Sequence, residues 1–234
     1  MIYSEPSYSR REDNKMRNRR AILDAARKVF ATIGFEACST REIIRESGLA
    51  QGTFYNYYKD KESVMQDLAD DFAENIRHAI SEARANANSP LTFLSDAYFA
   101  LFTIMLQNRE NLQMLARNRD ILRGYLFQGG PMTLILEELG RDLDRAVELG
   151  MFPHHPIKIT SVMMVAVGFE AMVLLAGEQK FELRKLSDYL GTLFQGGIGS
   201  VSKSLTSDDQ LILRTSKSKK SSTSKRSVSL TKRK

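Results

Sequence analysis

The chain has 234 residues, 42% of them hydrophobic and 26% charged, with a net charge of +6 at pH 7. That length and apolar content suit one medium domain, or a small domain fused to a larger one, around a real core. A single cysteine, Cys38, excludes an internal disulfide and a multi-thiolate metal site, and the longest apolar run, 159–176, is interrupted by Thr160, Ser161, Gly168 and Glu170 and does not read as a membrane span.

The charge is unevenly placed. Residues 10–61 hold twelve Lys/Arg against seven Asp/Glu, residues 62–213 thirteen against twenty, and residues 214–234 nine against none. A basic head and a basic tail therefore flank an acidic body, the arrangement expected of a polyanion-binding head. The opening residues "MIYSEPSYSRREDNK" contain no apolar stretch of the kind a secretory signal needs, so the cytoplasm is the expected location.

In chain order, residues 1–12 are polar and aperiodic and read as an arm. From Arg19 the pattern is helical, with Ile22, Ala25, Ala26, Val29, Phe30 and Ile33 forming one apolar stripe. Gly34 stands where a left-handed cap ends that helix, with Phe35 behind it. A short second helix, 40–47, opens on a capping box of Ser39 and Glu42, buries Ile43 and Ile44, and closes at Gly48. A third is expected over 51–57. A fourth begins near Asp60-Lys61-Glu62 and carries Val64, Leu68, Phe72, Ile76 and Ile80 four apart, until "NANSP" breaks it. Further helices are expected over 91–107, 109–119, 131–150, 156–176 and 182–200, between Gly, Pro and Asn signals. No stretch alternates with period two, so the fold class is all-α, about nine helices in total. The tail from about residue 206 is Ser/Thr/Lys-rich and too apolar-poor to order itself.

The helices at 40–47 and 51–57, joined by a tight turn at Gly48-Leu49-Ala50, have the dimensions of a helix-turn-helix. Ile43, Leu49, Phe54 and Tyr58 fall where the helices must touch. Gln51, Thr53, Tyr55 and Asn56 project elsewhere, and Gly52 has no side chain to hold the third helix off a neighbouring surface. This mixture suits duplex DNA: amides and hydroxyls read base edges, while Tyr, Thr and Lys donate to phosphates. Arg41 can reach a phosphate or a guanine, and Lys61 can anchor the backbone on the far side.

The segment "RRAILDAARKVFATIGFEACSTREIIRESGLAQGTFYNYYKDKESVM" resembles the N-terminal domain of the TetR family of bacterial transcriptional regulators. The resemblance rests on Gly34-Phe35, Thr40 with Ile43, Gly48-Leu49, the run Gly52 to Tyr58, and Lys61 with Val64. Ala50 stands where serine is frequent and Tyr57 where histidine is common. The resemblance implies that Thr40, Tyr55, Tyr57 and Lys61 hold phosphates and that Arg41, Gln51 and Thr53 face bases. It also implies a helix-turn-helix head over residues 13–62 followed by an effector-binding and dimerisation body over 63–205, to which composition adds the arm at 1–12 and the disordered basic tail at 206–234.

One helix-turn-helix reads few base pairs, so a homodimer spanning a palindromic operator is expected. The helices at 156–176 and 182–200 are the expected interface. The first is apolar nearly all round, and the second carries small residues that permit close approach. In the middle of the body, Phe99, Phe102, Met105, Met114, Tyr125, Phe127 and Met132 are candidates to line an effector pocket. The same pattern is ordinary core packing, and the resemblance tips the reading toward a pocket for a small apolar or amphipathic molecule. Arg117, Arg119 and Arg123 are available to anchor its head or form a solvated face.

His154-His155 lack ligand spacing and read as a surface loop. Cys38 precedes a helix start that would lower its pKa, yet it has no resolving partner and reads as a small half-buried residue. His78 reads as structural. The resulting expectation is a ligand-responsive repressor whose effector alters the spacing of the two heads through the fourth helix. The alternative is a ligand-independent architectural, nucleoid-associated binder, to which the basic tail would lend non-specific affinity. No nucleophile-base-acid set, phosphate-cradling loop or metal spacing supports an enzyme or a cofactor.

Overall fold

A computed structural model describes residues 7–107, 109–125, 131–177 and 181–204. Among them are ten helices and no strand: α1 Ser7–Thr32, α2 Thr40–Ser47, α3 Gln51–Tyr55, α4 Lys61–Ala85, α5 Pro90–Gln107, α6 Arg109–Arg117, α7 Arg119–Tyr125, α8 Pro131–Glu148, α9 Ile157–Leu175 and α10 Leu183–Ser204. The basic tail from residue 205 onward lies outside the described residues.

The head is the local sequence made solid. Gly34 and Gly48 take φ of 86° and 68°, the left-handed values that let α1 and α2 stop where the next segment must turn. Glu42 reaches back to the Ser39 amide at 2.8 Å, so the expected capping box opens α2. Asp60 caps α4 by accepting from the Ser63 amide at 2.8 Å. α1 starts at Ser7, so residues 7–12, read from sequence as part of an aperiodic arm, are helical; residues 11–17 are exposed all round, which is why no apolar stripe announced them. α3 ends two residues earlier than expected, with Asn56 and Tyr57 in the turn that follows.

A single apolar core runs without interruption from the head into the body, from Ile22, Phe30, Ile43 and Phe54 through Val64, Met65 and Leu68 to Phe102, Met105 and Phe169. A smaller core at the far end unites Phe93, Leu94, Leu139, Leu143, Phe152, Met164 and Ile198. α5 crosses from one to the other, with Phe93 and Leu94 in the smaller core and Tyr98 and Phe102 in the larger. α10 lies along α5, and the closeness is set by Gly191, where a Cβ would come within 3.1 Å of Ser95. Gly168 in α9 likewise admits the Tyr98 ring, where a Cβ would meet it at 3.2 Å.

The segment expected as one helix over 109–119 is two. Asn118 divides α6 from α7 because its amide is used elsewhere: Nδ2 donates to Phe30 O at 3.0 Å and Met114 O at 2.7 Å, and Oδ1 accepts from the Phe35 amide at 2.6 Å. Two histidine readings also change. His155 is buried, with Nδ1 at 2.8 Å from Pro153 O and its ring against Phe152, whereas His154 is exposed. His78 points outward from α4.

Candidate nucleic-acid interface and effector cavity

The surface formed by α2 and α3 is held from behind. Phe54 is fully buried, packed edge-on against Tyr55 and tilted against Tyr58. The Tyr58 hydroxyl donates to Asp67 at 2.5 Å. Arg19 grips the same carboxylate with Nε at 3.0 Å and Nη2 at 2.6 Å, and reaches Asp71 at 3.1 Å. These carboxylates raise the arginine pKa further, and burial with the Asp67 bond raises that of the Tyr58 phenol. The network joins α1, the end of the helix-turn-helix and α4 by charge-assisted bonds.

In front, Arg41, Gln51 and Tyr55 are exposed, and Thr40, Thr53 and Tyr57 are half-buried. The Thr40 and Tyr55 hydroxyls lie 3.4 Å apart, so the head of α2 and the end of α3 present two hydroxyls together. A Cβ on Gly52 would meet nothing within 4 Å, leaving that flank of α3 open to a flat partner. Lys61 is placed differently from a free phosphate anchor: its ammonium donates to Phe35 O at 2.7 Å and Cys38 O at 2.8 Å, and sits 4.4 Å from the Phe35 ring centroid. It therefore braces the loop that delivers α2. Cys38 is a core thiol, and burial pushes its pKa up to about 11, opposite to the lowering its place before a helix suggested.

Beneath the head lies an apolar cavity of about 90 Å³ between α4, α5, α6, α7, α8 and α9. Its α4 wall is a run at helical spacing, Ala69, Phe72, Ile76, Ile80 and Arg84. Of the seven residues proposed for it from sequence, Met114 lines it. Phe102 and Met105 turn into the solid core, and Phe99 is 36% exposed on the outer face with the Arg184 guanidinium 5.5 Å from its ring centroid. Tyr125 packs against the main core, and burial raises its pKa. Phe127 and the side chain of Met132 lie outside the described residues. The α5 residues were misassigned because that helix is apolar over most of its circumference, so periodicity alone could not tell core from cavity.

Of the three arginines considered as head-group anchors, none lines the cavity: Arg123 lies 3.4 Å from Glu170 and Arg119 3.7 Å from Asp120, while the Arg117 stem packs on Gly34. Cations that sequence reading passed over lie elsewhere. Phe72, Asn111 and Met114 belong both to the cavity and to a groove of about 590 Å³ between α1, α4 and α6. Arg17, Arg19, Arg20 and Arg27 line that groove. Arg27 is paired with Asp24 at 2.7 Å, whereas Arg20 has no ion-pair partner among the described residues. The signal was the run "RNRR" in α1, counted as head charge without knowing which way the helix faced.

At the other end stands Arg84, 7% exposed, the one charged residue lining the cavity among the described residues. Its Nε is 2.7 Å from Asp142 Oδ2, although no acceptor lies along the N–H direction. Burial pushes its pKa below the ordinary arginine value while Asp142 opposes the shift.

Residues 22–68 match the N-terminal domain model of the bacterial regulatory proteins of the tetR family. The head is a TetR-family N-terminal domain. A fatty acid metabolism regulator protein of Bacillus subtilis is 30% identical over 118 residues, a match spanning 45% of this chain and 60% of that relative's length. Solved TetR-like structures extend the likeness of fold to the body. The fatty acid degradation regulator FadR of Bacillus halodurans superposes with a TM-score of 0.68 at 20% identity, over 77% of this chain and 96% of that one. The regulator FadR of Bacillus subtilis in complex with stearoyl-CoA gives 0.61 at 20% identity, over 76% and 98%. The TetR-family head and relatives that are transcriptional regulators mark residues 22–68 as a DNA-binding module.

Proposed function

We propose that this protein is a homodimeric, cytoplasmic repressor that leaves a palindromic operator when an amphipathic molecule with a long apolar tail enters its body. The observation that carries this reading is the adjacency of the apolar cavity and the arginine-lined groove, which share Phe72, Asn111 and Met114 as wall residues. An acyl chain suits the first and a polyanionic head the second, and acyl-CoA combines them. The Bacillus subtilis neighbour solved with stearoyl-CoA lends support to that class.

On the DNA side, the exposure of Arg41, Gln51 and Tyr55 supports base and phosphate contact by the α2–α3 surface, with Thr40, Thr53 and Tyr57 beside them. Arg41, Gln51 and Thr53 take bases; Thr40, Tyr55 and Tyr57 take phosphates, and Lys61 adds its charge from the brace behind. A second copy covers α9 and α10. Ile159, Met163 and Leu174 on α9 and Tyr189, Leu193 and Val201 on α10 are exposed, and a Cβ on Gly196, Gly197 or Gly199 would meet nothing within 4 Å. α9 is long and apolar enough to cross a membrane by composition, yet only 33% of it is buried within one chain; a partner's helix accounts for the rest. α4 connects the two activities, because it starts at Lys61 in the head and walls the cavity from Ala69 onward. Chain entry between α4 and α6 displaces α4 and changes the separation of the heads.

The test is a duplex selected from a random pool by the full chain, then titrated with stearoyl-CoA in an anisotropy assay. A palindromic consensus and saturable release are expected. Asymmetric or sequence-blind binding, or a complex indifferent to acyl-CoA, refutes the reading.

A further inference from the structure

We infer that Arg84 sets the greatest chain length the cavity accepts, by closing its far end. This rests on the effector reading above, in which an acyl tail enters beside Phe72 and Met114. From Phe72 to Arg84 is twelve residues of continuous helix, about 18 Å of wall at the α-helical rise. The intervening lining residues of α4, Ile76 and Ile80, are apolar. The wall then ends on a guanidinium pinned through Asp142 of α8, whose side chain is 37% exposed, so solvent begins just behind it.

Packing alone gives no reason for this choice. A buried, imperfectly bonded ion pair is commonly no more stable than apolar residues of the same volume. The α4–α8 seam is already braced one helical stretch earlier, where Arg77 meets Glu138 at 2.7 Å without touching the cavity. What Arg84 adds is a stop. A growing apolar chain gains affinity with each methylene it buries, until the next would have to displace a cation from its carboxylate.

Saturated acyl-CoAs of increasing length, scored by release of the selected duplex, read this out. For the wild type, potency should climb by about fourfold per methylene to a break, and then fall. In Arg84→Ala the break moves to longer chains, and the first chain past the wild-type break becomes roughly tenfold more potent. Asp142→Ala, at a partly exposed site, unpins the same stop and should shift the break in the same direction even where Arg84→Ala fails to fold. Arg77→Ala removes the neighbouring brace and should leave the break in place. Breaks at one common length in the wild type, Arg84→Ala and Asp142→Ala would overturn the assignment, as would a shift in Arg77→Ala equal to theirs. If no acyl-CoA of any length releases the wild type, the effector reading itself has failed.

Discussion

Gln51 and Lys61 illustrate two kinds of polar residue in one head. Gln51 is exposed and makes no contact that the fold depends on, so Gln51→Ala should alter base preference while changing stability by less than about 0.5 kcal/mol. Lys61 donates to the carbonyls that lead into α2, so Lys61→Ala should weaken binding to every duplex and also lower stability by about 1 kcal/mol. Parallel urea unfolding and salt-dependent DNA titration separate the two, because losing a phosphate contact flattens the salt slope and losing a brace does not. Asn118 is a third case, since one amide satisfies the orphan Phe35 N–H of the head from within the body and adds a second bond to Phe30 O, which already accepts from the Gly34 N–H. Asn118→Ala leaves the Phe35 N–H unpaired and should cost about 1–3 kcal/mol by urea denaturation.

Among the elements, the short helices depend most on their ends. Glu42 bonds the Ser39 hydroxyl and amide, and those bonds hold its carboxyl below the ordinary value of 4.5. A depressed carboxyl adds stability that is complete above its ordinary pKa and is lost as pH falls through the folded one. Thermal melts should therefore fall more steeply below about pH 4.5 in the wild type than in Glu42→Gln, whose cap does not titrate; parallel slopes would show that the cap contributes nothing. Gly48→Ala isolates the turn, since the added methyl meets nothing within 4 Å and only the left-handed φ of 68° opposes it. A loss of about 1 kcal/mol, read by denaturant midpoint, is expected. Both ends could be seen in the sequence because a cap is a local bond. The break at Asn118 could not, since its cause lies more than eighty residues away in Phe30 and Phe35.

For the molecule as a whole, the open question posed by one chain is what covers α9 and α10. Leu174 is 63% and Tyr189 65% exposed, values that are costly for so apolar a face left in water. Leu174→Glu combined with Leu193→Glu should halve the mass seen by light scattering and weaken operator binding at least tenfold, as the second half-site is lost. A wild-type mass of one chain would remove the symmetric dimer from the proposal.

The amino-acid order by itself determined the helical class, the capped helix-turn-helix and its exposed polar residues, because these follow from short-range periodicity, backbone conformation and capping bonds. Tertiary structure alone decided that Phe102 and Met105 are core while Ile76 and Ile80 line a cavity, that Gly191 serves packing inside the subunit, and that α1 turns its arginines to a groove. The reason is physical: an apolar side chain is equally content against a neighbour or an empty space it borders, and which it meets is fixed by helices distant in sequence.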